Sequence, residues 1–247
     1  MSSDKLLPWA KPLLISSTLT QATIYVLRPM ITYRALELDA NAAQIGLIAS
    51  VYALFPVLLA LQFGKWVGRM GEAKFIIYGT LAMLVTSAGL MVAHSILWLS
   101  IAAACAGTAH LACMVGGQSM VALRAPRESY DRYFGFYTFS ASVGHMLGPI
   151  VAALVAGSNG NLPKSTSNAF LLGVVLTILA LFPVIRWKNE RPTVVAQQNS
   201  EGTYKTAFNL VRRPGILAAI YISLAISSAA DVLVVFLPLF GTENNFS

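Results

Sequence analysis

Seven long apolar blocks, at 12–33, 42–63, 74–93, 96–122, 133–157, 168–187 and 214–240, constrain what this chain can fold into. Each reaches the roughly 20 residues that carry a helix across a bilayer core. Only 11% of the 247 residues are charged, 56% are hydrophobic, and mean hydropathy is +0.67. A water-soluble domain of this length needs far more charge to cover its surface. The expected fold class is therefore an all-α membrane protein. The first block follows Lys5 and Lys11 as a signal peptide would, but it is too long for an h-region and contains Arg28, so it reads as a retained first span. Cys105 and Cys113 share the fourth block, where small buried packing residues are expected rather than a disulfide or metal site.

A net charge of +7 and a pI near 9.6 would suggest nucleic acid in a soluble protein. Here no base-reading motif or basic arm is present. The basic residues occupy short loops, so the expected partner is membrane lipid, at the anionic cytoplasmic surface. Loops after spans one, three and five carry only Arg34 and Lys164. Those after spans two, four and six carry Lys65, Arg69, Lys74, Arg124, Arg127, Arg132, Arg186, Lys188, Arg191, Lys205, Arg212 and Arg213. With Lys5 and Lys11, one side holds fourteen of the seventeen Lys and Arg. Basic loops resist translocation, so that side and the N-terminus are expected in the cytoplasm. Seven spans from an inside N-terminus end outside, the reverse of receptors and rhodopsins, and 214–240 lacks the lysine a retinal protein needs.

The longest polar stretch, 188–213, contains Glu190, Pro192, the run Gln197-Gln198-Asn199-Ser200 and Gly202, and reads as a cytoplasmic linker. It separates a six-helix bundle at 1–187 from a single helix within 214–247. One helix cannot form a domain, so the expectation is the first helix of an incomplete second bundle, with a C-terminal half missing.

Three stretches carry a family resemblance. Gly64-Lys65-Trp66-Val67-Gly68-Arg69-Met70-Gly71-Glu72-Ala73-Lys74, between spans two and three, is similar to the signature loop of the major facilitator superfamily of secondary transporters. It keeps Gly64, Arg69, Gly71 and Lys74, but Gly68 stands where the family has its aspartate. Glu72 is displaced from that position. Glycines there would let helix ends turn and pack closely; the blander reading is an ordinary positive-inside turn. Gly144-His145-Met146-Leu147-Gly148-Pro149-Ile150-Val151-Ala152-Ala153, in span five, resembles the family's antiporter-associated GxxxGPxxGG motif, with alanines for the last two glycines. Small residues at Gly144 and Gly148 admit a neighbouring helix, and Pro149 removes a backbone donor. Arg124-Ala125-Pro126-Arg127-Glu128-Ser129-Tyr130-Asp131-Arg132 resembles the family's loop between spans four and five, and reads as exposed. The arginine that many members place in span four has no counterpart among Ala102, Ala103 and Ala104. The resemblance implies the N-terminal six-helix half of a twelve-helix fold plus the first helix of the second half. It is closest in character to bacterial proton-coupled efflux members of the inner membrane.

Ionisable groups within lipid cost about 2.5–3.5 kcal/mol on insertion scales, so each invites a functional question. Four stand out: Arg28, His110, His145 and Asp231. Asp231 lies about nine residues from its span's outer end, roughly 13 Å deep; Arg28 is shallower and can instead reach the outer interface. The family's two similar halves make spans one and seven corresponding helices lining one cavity, so Arg28 and Asp231 are expected to face each other across it. Both histidines have the intrinsic pKa for a proton relay, although a lone histidine in a small-residue helix is more often a packing residue. Tyr25, Tyr33, Tyr52, Tyr137 and Phe139 are candidate cavity aromatics or packing residues. No metal-ligand spacing, nucleotide loop or catalytic dyad is present, so no cofactor or enzyme activity is expected. The expected function is secondary transport of a small organic solute with protons as the coupling ion, most simply export. An importer or facilitator of a sugar or organic anion, and a non-transporting sensor, stay open. Asp231→Asn is expected to abolish proton coupling; ΔpH-driven flux unchanged in that variant would refute its role.

Overall fold

The computed structural model describes residues 6–159, 162–163, 165–189 and 214–243. Seven α-helices run through them: α1 Ala10–Glu37, α2 Ala42–Met70, α3 Glu72–Met91, α4 Ile96–Arg124, α5 Tyr130–Ala156, α6 Thr166–Val184 and α7 Ile216–Glu243. A 3-10 turn at Arg127–Ser129 leads into α5, and α6 continues as 3-10 helix through Ile185–Asn189. Ser158–Asn159 and Leu162–Pro163 pair as a two-residue antiparallel ribbon. From residue 190 onward the expected linker at 188–213 lies outside the described residues.

Asn41, Ser95 and Ser165 cap α2, α4 and α6 through their side-chain oxygens, and Asn41 with Gln44 completes a capping box. All three caps lie at the end of the bundle opposite the basic loops. Five helices, α2 to α6, are long and apolar enough to cross a membrane. The first sequence block falls short of that measure because α1 buries Ser16, Ser17, Thr20, Gln21, Thr23 and Thr32. Those groups are sheltered by protein rather than lipid: α1 packs against α4, α5, α6 and α7. Thr18 donates to the Ser140 carbonyl of α5 at 3.0 Å, and Thr177 of α6 meets Thr23 at 3.5 Å.

Glycines set the closest approaches. A Cβ at Gly144 would collide with the Thr18 carbonyl oxygen and lie 2.8 Å from the Gln21 Cβ; one at Gly148 would lie 2.8 Å from the Ala22 carbonyl oxygen. Those contacts bring the α5 backbone directly against α1, as small residues allow between membrane helices. Gly107 of α4 similarly faces the Tyr52 carbonyl of α2.

Both ends of the bundle are closed by ion pairs. At the basic end, Glu72 is 1% exposed and its Oε1 accepts from Nε and NH2 of Arg124, each at 2.8 Å. The acid opens α3 and the base closes α4, so each also meets the favourable end of its helix dipole. At the other end Arg34 pairs with Glu37 at 3.2 Å and donates to Ser167 at 2.6 Å, while Thr166 donates to Glu37 at 2.8 Å.

Several sequence expectations change. Helix α2 continues to Met70, so Gly64 and Gly68 are helical, and a Cβ at either would meet open space. The turn into α3 is made by Gly71, at φ 87°, a conformation suited to a residue without Cβ. Arg124, expected on an exposed loop, is tucked against Glu72. Arg34, expected in a loop, lies within α1. Cys105 is exposed and only Cys113 is buried, because the two face different sides of α4. Gly144→Ala is expected to destabilise the protein by about 1–3 kcal/mol through overpacking against α1. Gly135→Ala, at a helical site with nothing within 4 Å of the added carbon, should gain up to about 1 kcal/mol from helix propensity. Opposite shifts of the thermal midpoints in detergent would verify this.

Candidate functional site

Two of the four ionisable residues singled out in the sequence, His110 and His145, converge on one amide. Gln21 of α1 is 3% exposed. Its Oε1 lies 3.0 Å from Nε2 of His110 in α4 and 3.2 Å from Nε2 of His145 in α5. Its Nε2 lies 2.7 Å from the Met114 sulfur. A thioether only accepts, so the amide nitrogen belongs on Met114 and the oxygen on the histidines. Both imidazoles then carry a proton on Nε2. His110 Nδ1 consequently accepts from the Tyr52 hydroxyl of α2 at 3.2 Å.

Aromatic and cationic groups continue the cluster. The Tyr25 ring stacks on His145, centroids 4.1 Å apart and planes 24° from parallel. The Arg28 guanidinium sits over the Tyr52 ring, 4.9 Å from its centroid, a favourable cation–π geometry. Tyr52 is ten residues into α2, roughly 15 Å from that helix end, so Arg28 is held within the bundle rather than extended to the interface. Arg28, Thr32 and Tyr52 border a cavity of about 20 Å³; Ser17, Gln21, Met114 and Tyr137 border another of about 10 Å³ on the other side of Gln21. Each is on the scale of a single water.

The neighbouring helices position these groups for identifiable reasons. Gln21, Tyr25 and Arg28 recur at intervals of four and three, one face of α1. Gly144 immediately precedes His145, so the α1–α5 approach it permits is what brings the imidazole within reach of Gln21. Gly107 lies one turn before His110 and does the same between α4 and α2.

Asp231 lies in α7, which packs on α1; its side chain lies outside the described residues. Tyr137 is buried against Gly117, Tyr33 packs beside the core, and Phe139 is 68% exposed. Of the five candidate aromatics, Tyr25 and Tyr52 join the cluster directly, and Tyr137 reaches it through its hydroxyl, 3.9 Å from the Met114 sulfur. The sequence reading missed Gln21 and Met114; the available signal was the unusual run of polar residues from Ser16 to Thr23 within an apolar block. Among the described residues, no group of three His, Cys, Asp or Glu side chains could hold a metal.

The family model of the Major Facilitator Superfamily matches residues 13–247. Multidrug resistance protein 1 of Bacillus subtilis (strain 168) is 24% identical over 146 residues, 59% of this chain and 38% of that protein. Multidrug resistance protein MdtG of Enterobacter lignolyticus (strain SCF1) is 26% identical over 156 residues, 60% of this chain and 36% of that protein. The chain thus spans less than two fifths of these relatives. A similar fold occurs in the crystal structure of a bacterial homologue of the human lysosomal transporter Spinster, in an inward-facing, unoccupied conformation. The TM-score is 0.71 at 18% identity, covering 96% of this chain and 56% of that one.

Gln21→Leu removes the acceptor shared by both imidazole N–H groups. It is expected to cost about 1–3 kcal/mol for each donor left buried and unpaired, measured by chemical denaturation in detergent. Adding His110→Leu to Gln21→Leu should recover part of that loss, since one orphaned donor is removed with it.

Proposed function

The chain belongs to the Major Facilitator Superfamily, and we propose from that premise that it acts in secondary transport of a small organic solute, as a proton-coupled exporter working by alternating access. The observation that carries the reading is the Gln21 bridge between His110 and His145, with Arg28 over Tyr52 beside it. Polar and ionisable groups are costly inside a membrane bundle and are characteristic of solute and proton pathways. Helices α1, α2, α4 and α5 each contribute to that cluster, so a shift between them changes its hydrogen bonds directly.

In this reading the two histidines are the proton-exchanging groups. Arg28 and the Tyr25 and Tyr52 rings contact the solute. Asp231, on the helix that packs along α1, faces Arg28 across the cavity and completes the charge arrangement. The multidrug resistance names of the relatives favour an efflux role with an amphipathic solute. The distribution of basic residues favours a cytoplasmic N-terminus, and the bacterial relatives favour an inner-membrane location. The segment 188–213 is assigned as a cytoplasmic linker between the bundle at 1–187 and the helix at 214–247. A C-terminal half would supply the opposite wall of the cavity.

The test is proton flux in proteoliposomes carrying the protein, read with an entrapped pH indicator while amphipathic solutes are added under an imposed pH gradient. Solute-dependent proton movement is expected. His110→Asn and His145→Asn should each slow it by about tenfold or more, the factor set by about 1.4 kcal/mol of lost interaction. Solute flux that ignores the pH gradient would replace the reading with a facilitator or importer. Absence of solute flux in either direction would replace it with a membrane sensor.

A further inference from the structure

Helices α2 and α3 both pack extensively on α4 but touch each other little, because the turn at Gly71 separates them as they leave the basic end. Between them lies an apolar groove of about 960 Å³, at the upper end of the roughly 300–1,000 Å³ of small-molecule sites. Its floor is α4, where Ala104, Cys105, Thr108 and Ala112 are small enough to leave depth. Its walls are large: Phe63 and Trp66 from α2, Phe75 and Tyr78 from α3. The groove opens outward, with Tyr78 55% and Ile101 50% exposed. Cys105 and Thr108 face it, whereas His110 and Met114 turn to Gln21, so the groove lies across α4 from the candidate transport site.

Two features select an occupant. The first is length. The lining runs along α2 from Leu47 to Met70, roughly 35 Å at 1.5 Å per residue, comparable to the roughly 30 Å hydrocarbon core of a bilayer. The acyl chains of one leaflet reach about half that depth, so a lipid entering from the basic end fills the half of the groove nearest Met70. The second is charge at one end only. Arg69 follows Trp66 by three residues and Lys74 precedes Tyr78 by four, so each shares a helix face with a groove-lining ring, and Lys65 lies one turn from Arg69 at the rim. Arg69 is exposed, and Lys65 and Lys74 are half-buried. Trp66 stands at this junction, where amphipathic rings favour the membrane–water boundary.

We infer that this groove is a binding site for an anionic phospholipid, with its acyl chains along α4 between α2 and α3 and its phosphate held by Lys65, Arg69 and Lys74. The lipid fills the wedge that the two helices leave open and bridges them at the end where they diverge. In the membrane it occupies the leaflet that the basic loops face, which is the cytoplasmic one in the orientation proposed above; binding itself does not depend on that orientation.

The test compares dioleoyl phosphatidylglycerol with dioleoyl phosphatidylcholine, which share acyl chains and differ in net headgroup charge. The delipidated protein in detergent is titrated with each, and retained lipid is counted by native mass spectrometry. Phosphatidylglycerol is expected to be retained preferentially. Neutralising Lys65→Gln, Arg69→Gln or Lys74→Gln should each weaken its binding about fivefold, as about 1 kcal/mol per basic side chain implies. Phosphatidylcholine should respond little. Cys105, the exposed native thiol on the groove floor, gives a second readout. Its maleimide labelling should slow several-fold with phosphatidylglycerol and recover in the triple glutamine variant. Cys105→Trp, which fills the groove while leaving the three cations, should reduce retention of both lipids. Equal retention of the two lipids, or phosphatidylglycerol binding unchanged in the triple variant, would overturn the proposal. So would protection of Cys105 in a lipid-free dimer, which would assign the groove to a second copy of the chain.

Discussion

The arrangement depends on a polar first helix that lipid could not hold. Helix α1 buries a carboxamide and several hydroxyls along a length that would have to cross a bilayer. Each such group costs free energy in hydrocarbon unless a partner is supplied. The partners come from other helices: the Ser140 carbonyl of α5 for Thr18, Thr177 of α6 beside Thr23, His110 of α4 and His145 of α5 for Gln21. The bonds to α5 require backbone approaches that glycine permits at Gly144 and Gly148. The packing motif and the polar cluster are therefore one device, since the residue that admits α1 is followed directly by the residue that bonds to it.

The same logic places the ion pairs. Glu72–Arg124 ties α3 to α4 at one end, and at the other Arg34 and Glu37 of α1 bond to Ser167 and Thr166 of α6. The buried Glu72–Arg124 pair contributes little net stability, because desolvation offsets much of the attraction, but separating its partners is costly. Such contacts suit a bundle whose ends must keep their register. The middle is held differently, by neutral hydrogen bonds and ring contacts among α1, α2, α4 and α5, each of which is cheaper to exchange. Stiff ends and an exchangeable centre are compatible with a bundle that moves as a body and responds at its core.

Much of the architecture was legible in the sequence because the bilayer imposes a coarse, strong signal. Apolar run length located the seven helices of the described residues, and Gly144 and Gly148 marked a face that admits a neighbouring helix, which is α1. The misses have local causes. Hydropathy does not register that a helix may continue past the apolar region, so α2 was ended at residue 63 although it runs to Met70. The signature glycines were expected to shape the turn, yet only Gly71 has the positive φ that demands one. Glu72 was recognised as displaced from the family's acidic position, but its partner Arg124 lies 52 residues away and no periodicity connects them. The ionisable residues of the cluster were found because charge in lipid is conspicuous. Gln21, which organises them, was not, because an uncharged amide among serines and threonines blends into its neighbours.

The choice of an amide at the centre has a chemical consequence. A carboxylate in the place of Gln21 would favour the imidazolium form of both histidines by direct charge attraction, and would tend to keep them in one state. The neutral Oε1 offers two lone pairs and no net charge, so it can hold both Nε2–H groups without committing either ring to a cation. In the proposed function, proton exchange is then left to Nδ1. On His110 that atom meets a tyrosine hydroxyl, which can donate to a neutral ring and accept from a charged one by rotating about its C–O bond. His145 is stacked instead on Tyr25, which supplies no fixed counter-charge. Gln21 thus fixes where the imidazoles stand without supplying a charge of its own, which suits the proton-coupled reading proposed above.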